Sequence, residues 1–183
     1  MAMWARILRR AAKVGRERAS IHQAGVLYFS KRQVTTMTKD AIQAARPPYR
    51  IFEHTADLGM EIYGTDERAL FRNAALALSD IMTDRRRLRG REEREIVAEG
   101  GDREEMLVNF LREVLYLYNG EGWLLKDCVI SEMNTFHLRA AATGEPFARG
   151  RHTMEVEIKA ITYHRAQIQR AEQGWTGRVI CDV

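Results

Sequence analysis

The stretch DREEMLVNFLREVLYLYNGEGWLLKDCVISEMNTFHLRAAA, residues 102–142, decides the fold class. Its apolar residues recur three and four positions apart over 106–118, and Gly120 follows, so this half predicts an amphipathic helix. The second half predicts two strands, 124–133 and 135–142, joined as a hairpin at Asn134. A helix followed by an antiparallel hairpin is typical of an α+β domain.

The flanking sequence predicts a second helix and further strands. The helix begins at Thr65 and ends near Thr83, and the charged residues 85–94 are expected to form an exposed loop or edge. The further strands are expected at 49–53, 58–63, 96–98, 154–163, 166–172 and 175–183. The order ββαβαβββββ predicts a mainly antiparallel β-sheet with the two helices packed on one face.

Length and composition restrict the class of protein. The chain has 183 residues, 45% hydrophobic and 30% charged, as expected for one globular domain with an extension. The longest apolar run is well short of the roughly 18 residues that a membrane-spanning helix needs, so we expect no membrane partner. Cys128 and Cys181 lack the spacing of a metal or disulfide motif, which predicts two buried thiols in a reducing, cytoplasmic environment.

The basic and acidic residues are unevenly distributed. Residues 1–50 contain 11 Lys or Arg and 2 acidic residues, a net charge of +9. The whole chain has a net charge of +4, so residues 51–183 have a net charge of −5. Binding to nucleic acid depends on clustered Lys and Arg. The acidic balance therefore disfavours a broad nucleic-acid-binding face on the folded part.

Residues 1–48 are interpreted as a basic extension that precedes the domain. Residues 4–12 have the spacing of a basic amphipathic helix, which is typical of a membrane-surface contact or a transit peptide. The favoured alternative is that the extension is disordered or absent from the native product, with translation starting at Met37. Pro47 and Pro48 restrict the backbone, so we expect the domain to span 49–183.

The common nucleotide, hydrolase and zincin motifs are absent from the sequence, which leaves scattered polar residues as candidates. Asp57, Asp182 and the α-carboxylate of Val183 would recruit a hard cation such as Ca²⁺ or Mg²⁺ if the fold brought them together. The alternative is a solvent-exposed chain end. Lys159 lies in an apolar strand and is interpreted as a partner of these carboxylates or a phosphate contact, although a lysine that reaches solvent from an edge strand is the commoner explanation.

Four segments in this order resemble the archease family. They are YRIFEHTADLG at 49–59, AALAL at 74–78 leading to MTD at 82–84, EIKAITYH at 157–164 and VICDV at 179–183. The resemblance runs from residue 49 to the last residue. It departs from the family at Val183, where isoleucine is frequent, and this change leaves a main-chain carboxylate unaffected.

The resemblance implies a non-catalytic accessory protein of the RNA-splicing ligase that joins RNA 3′-phosphate or 2′,3′-cyclic phosphate ends to 5′-OH ends. Archeases promote guanylylation of the ligase histidine and multiple turnover, as in tRNA splicing and RNA repair. Such a protein would contact RNA only through the ligase. The implied metal ligands are Asp57, Asp182 and Val183, with calcium expected and Mg²⁺ or Mn²⁺ as alternatives. Asp84 and Lys159 are implied as contacts with the ligase or its phosphate centre, and His54 as a supporting residue.

Two other functions remain open at the level of the sequence. One is a stand-alone metal-dependent phosphoesterase with Asp57 and Asp182 on the metal and His54 or His164 as the general base. The other is a chaperone-like binding module in which the carboxylates only fix the chain end. The phosphoesterase would need basic groups that bind substrate, and only Lys159 is placed to help.

Overall fold

The computed structural model describes residues 47–54 and 57–183, and only the backbone of residues 53 and 54. Residues Pro48–Val183 form one compact unit. None of the helices in the described range is long and apolar enough to span a membrane. Residues 1–46, which include most of the predicted extension and its start at Met37, lie outside the described residues, as do Thr55 and Ala56.

The described chain contains seven strands, two α-helices and one short 3₁₀ turn. Their bounds are β1 Tyr49–His54, β2 Asp57–Gly64, α1 Glu67–Met82, the 3₁₀ turn Arg85–Arg87, β3 Glu92–Glu99, α2 Arg103–Asn119, β4 Trp123–Met133, β5 His137–Pro146, β6 Ala160–Ala171 and β7 Gly174–Asp182. All pairings between these strands are antiparallel. The α+β class with two helices and antiparallel strands is therefore confirmed.

The strands divide into two sheets. One has the order β1-β2-β7-β6 and the other the order β3-β5-β4. Both helices contact strands of both sheets, and the rings of Phe71 on α1 and Phe110 on α2 lie 6.0 Å apart. Most side chains of α1 are buried, and a single sheet face could not cover all of them. A helix that is buried on more than one side needs a sheet on more than one side.

The helix starts follow the chemistry of their caps. Asp102 accepts a hydrogen bond from the Glu105 N–H at 2.7 Å, and the Glu105 side chain accepts one from the Gly101 N–H. Asp102 thus satisfies one donor that the first helical turn leaves unpaired, and Glu105 satisfies the N–H of Gly101, the residue before the cap. The cap of α1 is Asp66, which accepts from the Ala69 N–H at 2.8 Å, and not the predicted Thr65.

The C-terminal third contains two strands where the pattern predicted three. The predicted break between 163 and 166 is an irregularity within β6, where the pairing with β7 shifts between Thr162 and Gln167 and Arg165 has φ 56°. Residues 155–159 lie outside any strand, although Val156 and Ile158 are buried. Alternate burial without strand pairing produced the same period as a strand. Strand β5 also extends to Pro146, beyond the predicted end at 142.

Candidate functional site

Asp57 and Asp182 come together at one end of the two central strands of the four-stranded sheet, a place that we call the carboxylate edge. The pairing of β2 with β7 ends with Leu58 opposite Cys181, and continuing that register by one step sets Asp57 opposite Asp182. Directly opposed residues of antiparallel strands project to the same face, with Cβ atoms about 5 Å apart. Both side chains are half-buried. The register therefore gathers two carboxylates that are far apart in sequence.

The end of the chain and Lys159 lie on the other side of Asp182. Strand β6 pairs with β7, with Ala160 opposite Asp182, and the Lys159 N–H donates to the Asp182 carbonyl at 2.9 Å. The Lys159 ammonium donates to the main-chain oxygen of Val183 at 3.0 Å. This contact agrees with the interpretation of Lys159 as a partner of the carboxylates.

Cys181 lies directly behind this edge and is fully buried. Burial, and secondarily the negative charge of Asp57, raises the pKa of its thiol to about 12. In the metal-free protein the thiol is therefore protonated at neutral pH. The donor groups that remain partly exposed at this edge are those of Asp57, Asp182 and Val183. Cys128 is likewise a buried free thiol, as predicted for both cysteines.

The oxygen donors at this edge fit a hard cation. Within the described ranges 47–54 and 57–183, no group of three or more His, Cys, Asp or Glu side chains has metal-holding geometry. The predicted set contains only two such side chains, because the third ligand is the main-chain carboxylate of Val183. Carboxylates on neighbouring strands, completed by water, are the donors that Ca²⁺ and Mg²⁺ prefer. The Lys159 ammonium would share the Val183 oxygen with such an ion.

The other two predicted residues have different surroundings. The backbone of His54 is opposite that of Asp57 in the β1–β2 hairpin. Asp84 follows α1 and precedes the 3₁₀ turn, where its carboxylate pairs with Arg86 at 3.4 Å and with Arg87 at 3.5 Å. Asp57, Asp182, Val183 and Lys159 thus lie at this edge, together with the backbone of His54. Asp84 lies after α1, where it pairs with two arginines.

A second polar cluster, centred on Glu145, was not predicted. The Glu145 side chain is only 2% exposed, and Oε1 accepts the Arg89 N–H at 2.9 Å while Oε2 lies 2.7 Å from the Arg151 guanidinium. His152 Nδ1 accepts the Ala148 N–H at 3.0 Å, so its Nε2 carries the proton and donates to Glu145 Oε1 at 3.2 Å.

The Glu145 carboxylate is strongly stabilised in its ionised form. Burial alone would raise its pKa, but the hydrogen bonds from Arg151, the Arg89 N–H and His152 lower the pKa to about 2. The strand predicted over 135–142 ends before Glu145, so this cluster was not predicted. No period marks Glu145, because the regularly buried positions of β5 are the even-numbered residues 138–144.

Comparison with known proteins identifies the class. The profile of the "Archease protein family (MTH1598/TM1083)" matches residues 49–183. Protein archease of Methanosarcina mazei is 33% identical over 139 residues, 74% of this chain and 95% of that protein. Protein archease of Pyrococcus furiosus is 37% identical over 136 residues, 72% of this chain and 96% of that protein.

The fold has a counterpart among solved structures. The solution structure of Methanobacterium thermoautotrophicum protein 1598 matches with a TM-score of 0.61 and 33% identity, over 74% of this chain and 99% of that chain. The class is therefore an α+β domain with two helices and antiparallel strands. Since the family profile covers most of the sequence, this chain belongs to the archease family.

Proposed function

We propose that this archease-family protein is a non-catalytic activator of an RNA ligase. The ligase would be of the guanylylated-histidine type and would join RNA 3′-phosphate or 2′,3′-cyclic phosphate ends to 5′-OH ends in the cytoplasm. The activator would promote guanylylation of the ligase histidine and so permit repeated turnover, as in tRNA splicing. Membership of the archease family supports an accessory role.

The observation that carries the proposal is the edge formed by Asp57, Asp182, Val183 and Lys159. The first three would hold a divalent cation, with calcium expected and Mg²⁺ or Mn²⁺ as alternatives. The cation would supply a fixed positive charge beside the Lys159 ammonium. This edge offers few groups that could bind and turn over a substrate alone. It is better suited to present charge to a partner, and His54 and Asp84 are proposed as supporting or partner contacts.

Multiple-turnover ligation tests the proposal. A partner ligase at low concentration joins an excess of RNA with 3′-phosphate and 5′-OH ends, with and without the full-length protein, and guanylylated ligase is quantified in parallel. We expect the protein to increase both the yield of ligated RNA and the guanylylated fraction. The protein alone, incubated with the same RNA, is expected to release no phosphate.

Two substitutions show whether the effect depends on the proposed edge. Asp182→Asn should decrease stimulation at least tenfold, because it removes one carboxylate from the edge. Glu172→Gln removes an equal charge from an exposed residue at the opposite end of the same sheet and should keep full stimulation. Equal stimulation by the two variants would show that activation of the ligase does not depend on this edge. Phosphate release by the protein alone would favour the phosphoesterase alternative.

A further inference from the structure

A run of arginines follows α1 in a domain that is otherwise acidic. Residues 85–91 read RRRLRGR, and we call this segment the arginine loop. The side chains of Arg86 and Arg87 are 58% and 75% exposed, and Arg89 and Arg91 are also exposed. The loop therefore presents several guanidinium groups to solvent.

The arginine loop has more positive charges than there are carboxylates that pair with them. Arg85 is neutralised by Asp80 at 3.1 Å, whereas Arg86 and Arg87 share the single carboxylate of Asp84. Arg89 and Arg91 form no ion pair with a carboxylate in the described part of the chain. The surplus charge is available to an anionic ligand.

The backbone of the loop is fixed from below by buried groups. Leu88 is 2% exposed, and its carbonyl accepts a hydrogen bond from the Lys126 ammonium at 2.5 Å. The Arg89 N–H donates to the buried carboxylate of Glu145 at 2.9 Å, and Gly90 adopts φ 58°, a conformation that glycine takes without strain. The arginines are thus carried on an ordered backbone, which decreases the entropy lost when they bind.

The same carboxylate ties a second basic segment to the loop. Glu145 Oε2 pairs with Arg151, and His152 also donates to Glu145. Arg151 is thereby held next to the backbone of Arg89, and the exposed Arg149 lies two residues before Arg151 in the chain. Glu145 therefore assembles one basic surface from two separate parts of the sequence.

The chemistry of this surface selects nucleic acid over protein as the ligand. The only apolar side chain of the loop, Leu88, is buried, whereas specific protein interfaces have an apolar core. Nucleic-acid interfaces are polar and positively charged, and guanidinium groups bind phosphate in a bidentate manner. We propose that the arginine loop binds the phosphodiester backbone of RNA directly.

This inference rests on the proposed function only in taking RNA as the polyanion. It departs from the expectation that RNA is contacted solely through the ligase, which came from the net charge of −5 for residues 51–183. A net charge averages over the surface and does not register a local cluster. The loop would add an RNA contact that is independent of sequence, because phosphate contacts carry no base information.

Fluorescence anisotropy with the full-length protein and a labelled single-stranded RNA of about 20 nucleotides tests the proposal in the absence of ligase. Arg89→Gln/Arg91→Gln removes two charges from the loop and keeps the Arg89 N–H that binds Glu145. Arg50→Gln/Arg170→Gln removes two charges from exposed arginines on the four-stranded sheet and is the control for the number of charges removed; Arg50 pairs with Glu61, whereas no ion pair is found for Arg170 among the described residues. The basic residues 1–46 are identical in both variants and the wild type.

The loop variant should bind this RNA about tenfold more weakly than the control variant. Its plot of log Kobs against log[salt] should be shallower by about 1.4, since each lost phosphate contact on a single strand removes about 0.7. Equal affinity and equal slope for the two variants would overturn the proposal. So would a loop variant that binds RNA normally but binds the ligase protein weakly, because the surface would then recognise protein.

Failure of the proposed function would be visible separately. If the wild type binds RNA through the loop but does not increase ligation, the activator function fails and the RNA contact stands. If the wild type increases ligation and the loop variant binds RNA as the control does, the RNA contact fails alone. Urea unfolding of both variants, with unchanged midpoints expected, ensures that a weaker affinity reports the surface and not misfolding.

Discussion

The carboxylate edge and the arginine loop concentrate opposite charges by different means. At the edge, Asp57 and Asp182 are 125 positions apart in the numbering and meet only because β2 and β7 pair in one register. In the loop the arginines are contiguous in sequence, and a buried group, Glu145, holds their backbone in place. The edge therefore depends on strand pairing, whereas the loop depends on one buried ion-pair cluster. Perturbing each in turn sharpens this difference.

The largest expected effect comes from removing the buried charge beneath the loop. Glu145→Gln leaves the Arg151 guanidinium without its carboxylate and weakens the bonds to Arg89 and His152. Breaking a buried pair costs about 3–5 kcal/mol. We expect the free energy of unfolding in urea to fall by about 4 kcal/mol. The exposed Glu93→Gln is the control and should change it by less than about 0.5 kcal/mol; equal losses in both would show that Glu145 is not the anchor.

The same carboxylate should make stability depend on pH. Its pKa is lowered from 4.5 to about 2 in the folded protein, so the stabilisation is complete above about pH 4.5 and is lost as the pH falls towards 2. The lowering corresponds to about 3 kcal/mol. The difference in unfolding free energy between wild type and Glu145→Gln should therefore shrink steadily between pH 4.5 and 2. A difference that stays constant over this range would contradict the assignment.

A smaller effect is expected from extending the chain at the carboxylate edge. A C-terminal tag converts the α-carboxylate of Val183 into a neutral amide carbonyl and removes one charged ligand. We expect Ca²⁺ affinity to fall about tenfold, or about 1.4 kcal/mol, relative to the same tag at the amino terminus. Stimulation of the ligase should fall in parallel. If both tagged proteins bind Ca²⁺ and stimulate the ligase equally, Val183 is not a ligand.

The smallest effect is expected from removing part of the N-terminal extension. Deletion of residues 1–36, which leaves a chain starting at Met37, should preserve the urea midpoint and ligase stimulation. The predicted domain starts only after Pro48, and the compact unit of the structure starts at Pro48. Loss of solubility or of stimulation in the shortened chain would assign a role to the extension.

Local patterns predicted local structure well and missed contacts that depend on pairing. The period of 106–118 with Asp102 and Glu105 before it predicted α2, because caps and amphipathicity act within a few residues. The alternate burial of Val156 and Ile158 has the period of a strand, but no strand forms there. The period of a segment does not specify which strand it pairs with.

The candidate site illustrates the same limit. The proximity of Asp57 and Asp182 followed from family resemblance, because no local pattern fixes the register of two distant strands. The sequence shows the arginines of the loop, but it does not indicate that Glu145 holds their backbone in place. Glu145 lies out of phase with the buried positions of its strand, and its partners come from two separate loops.

Calorimetric titration with Ca²⁺ tests most directly the central claim that Asp57, Asp182 and the chain end form one cation site. The full-length wild type is compared with Asp57→Asn, Asp182→Asn and the control Glu172→Gln. We predict one binding site in the wild type and the control, and at least tenfold weaker affinity in each aspartate variant, because each loses a charged oxygen ligand. Affinity in both aspartate variants equal to that of the wild type, or a wild type that binds no Ca²⁺, would contradict the claim.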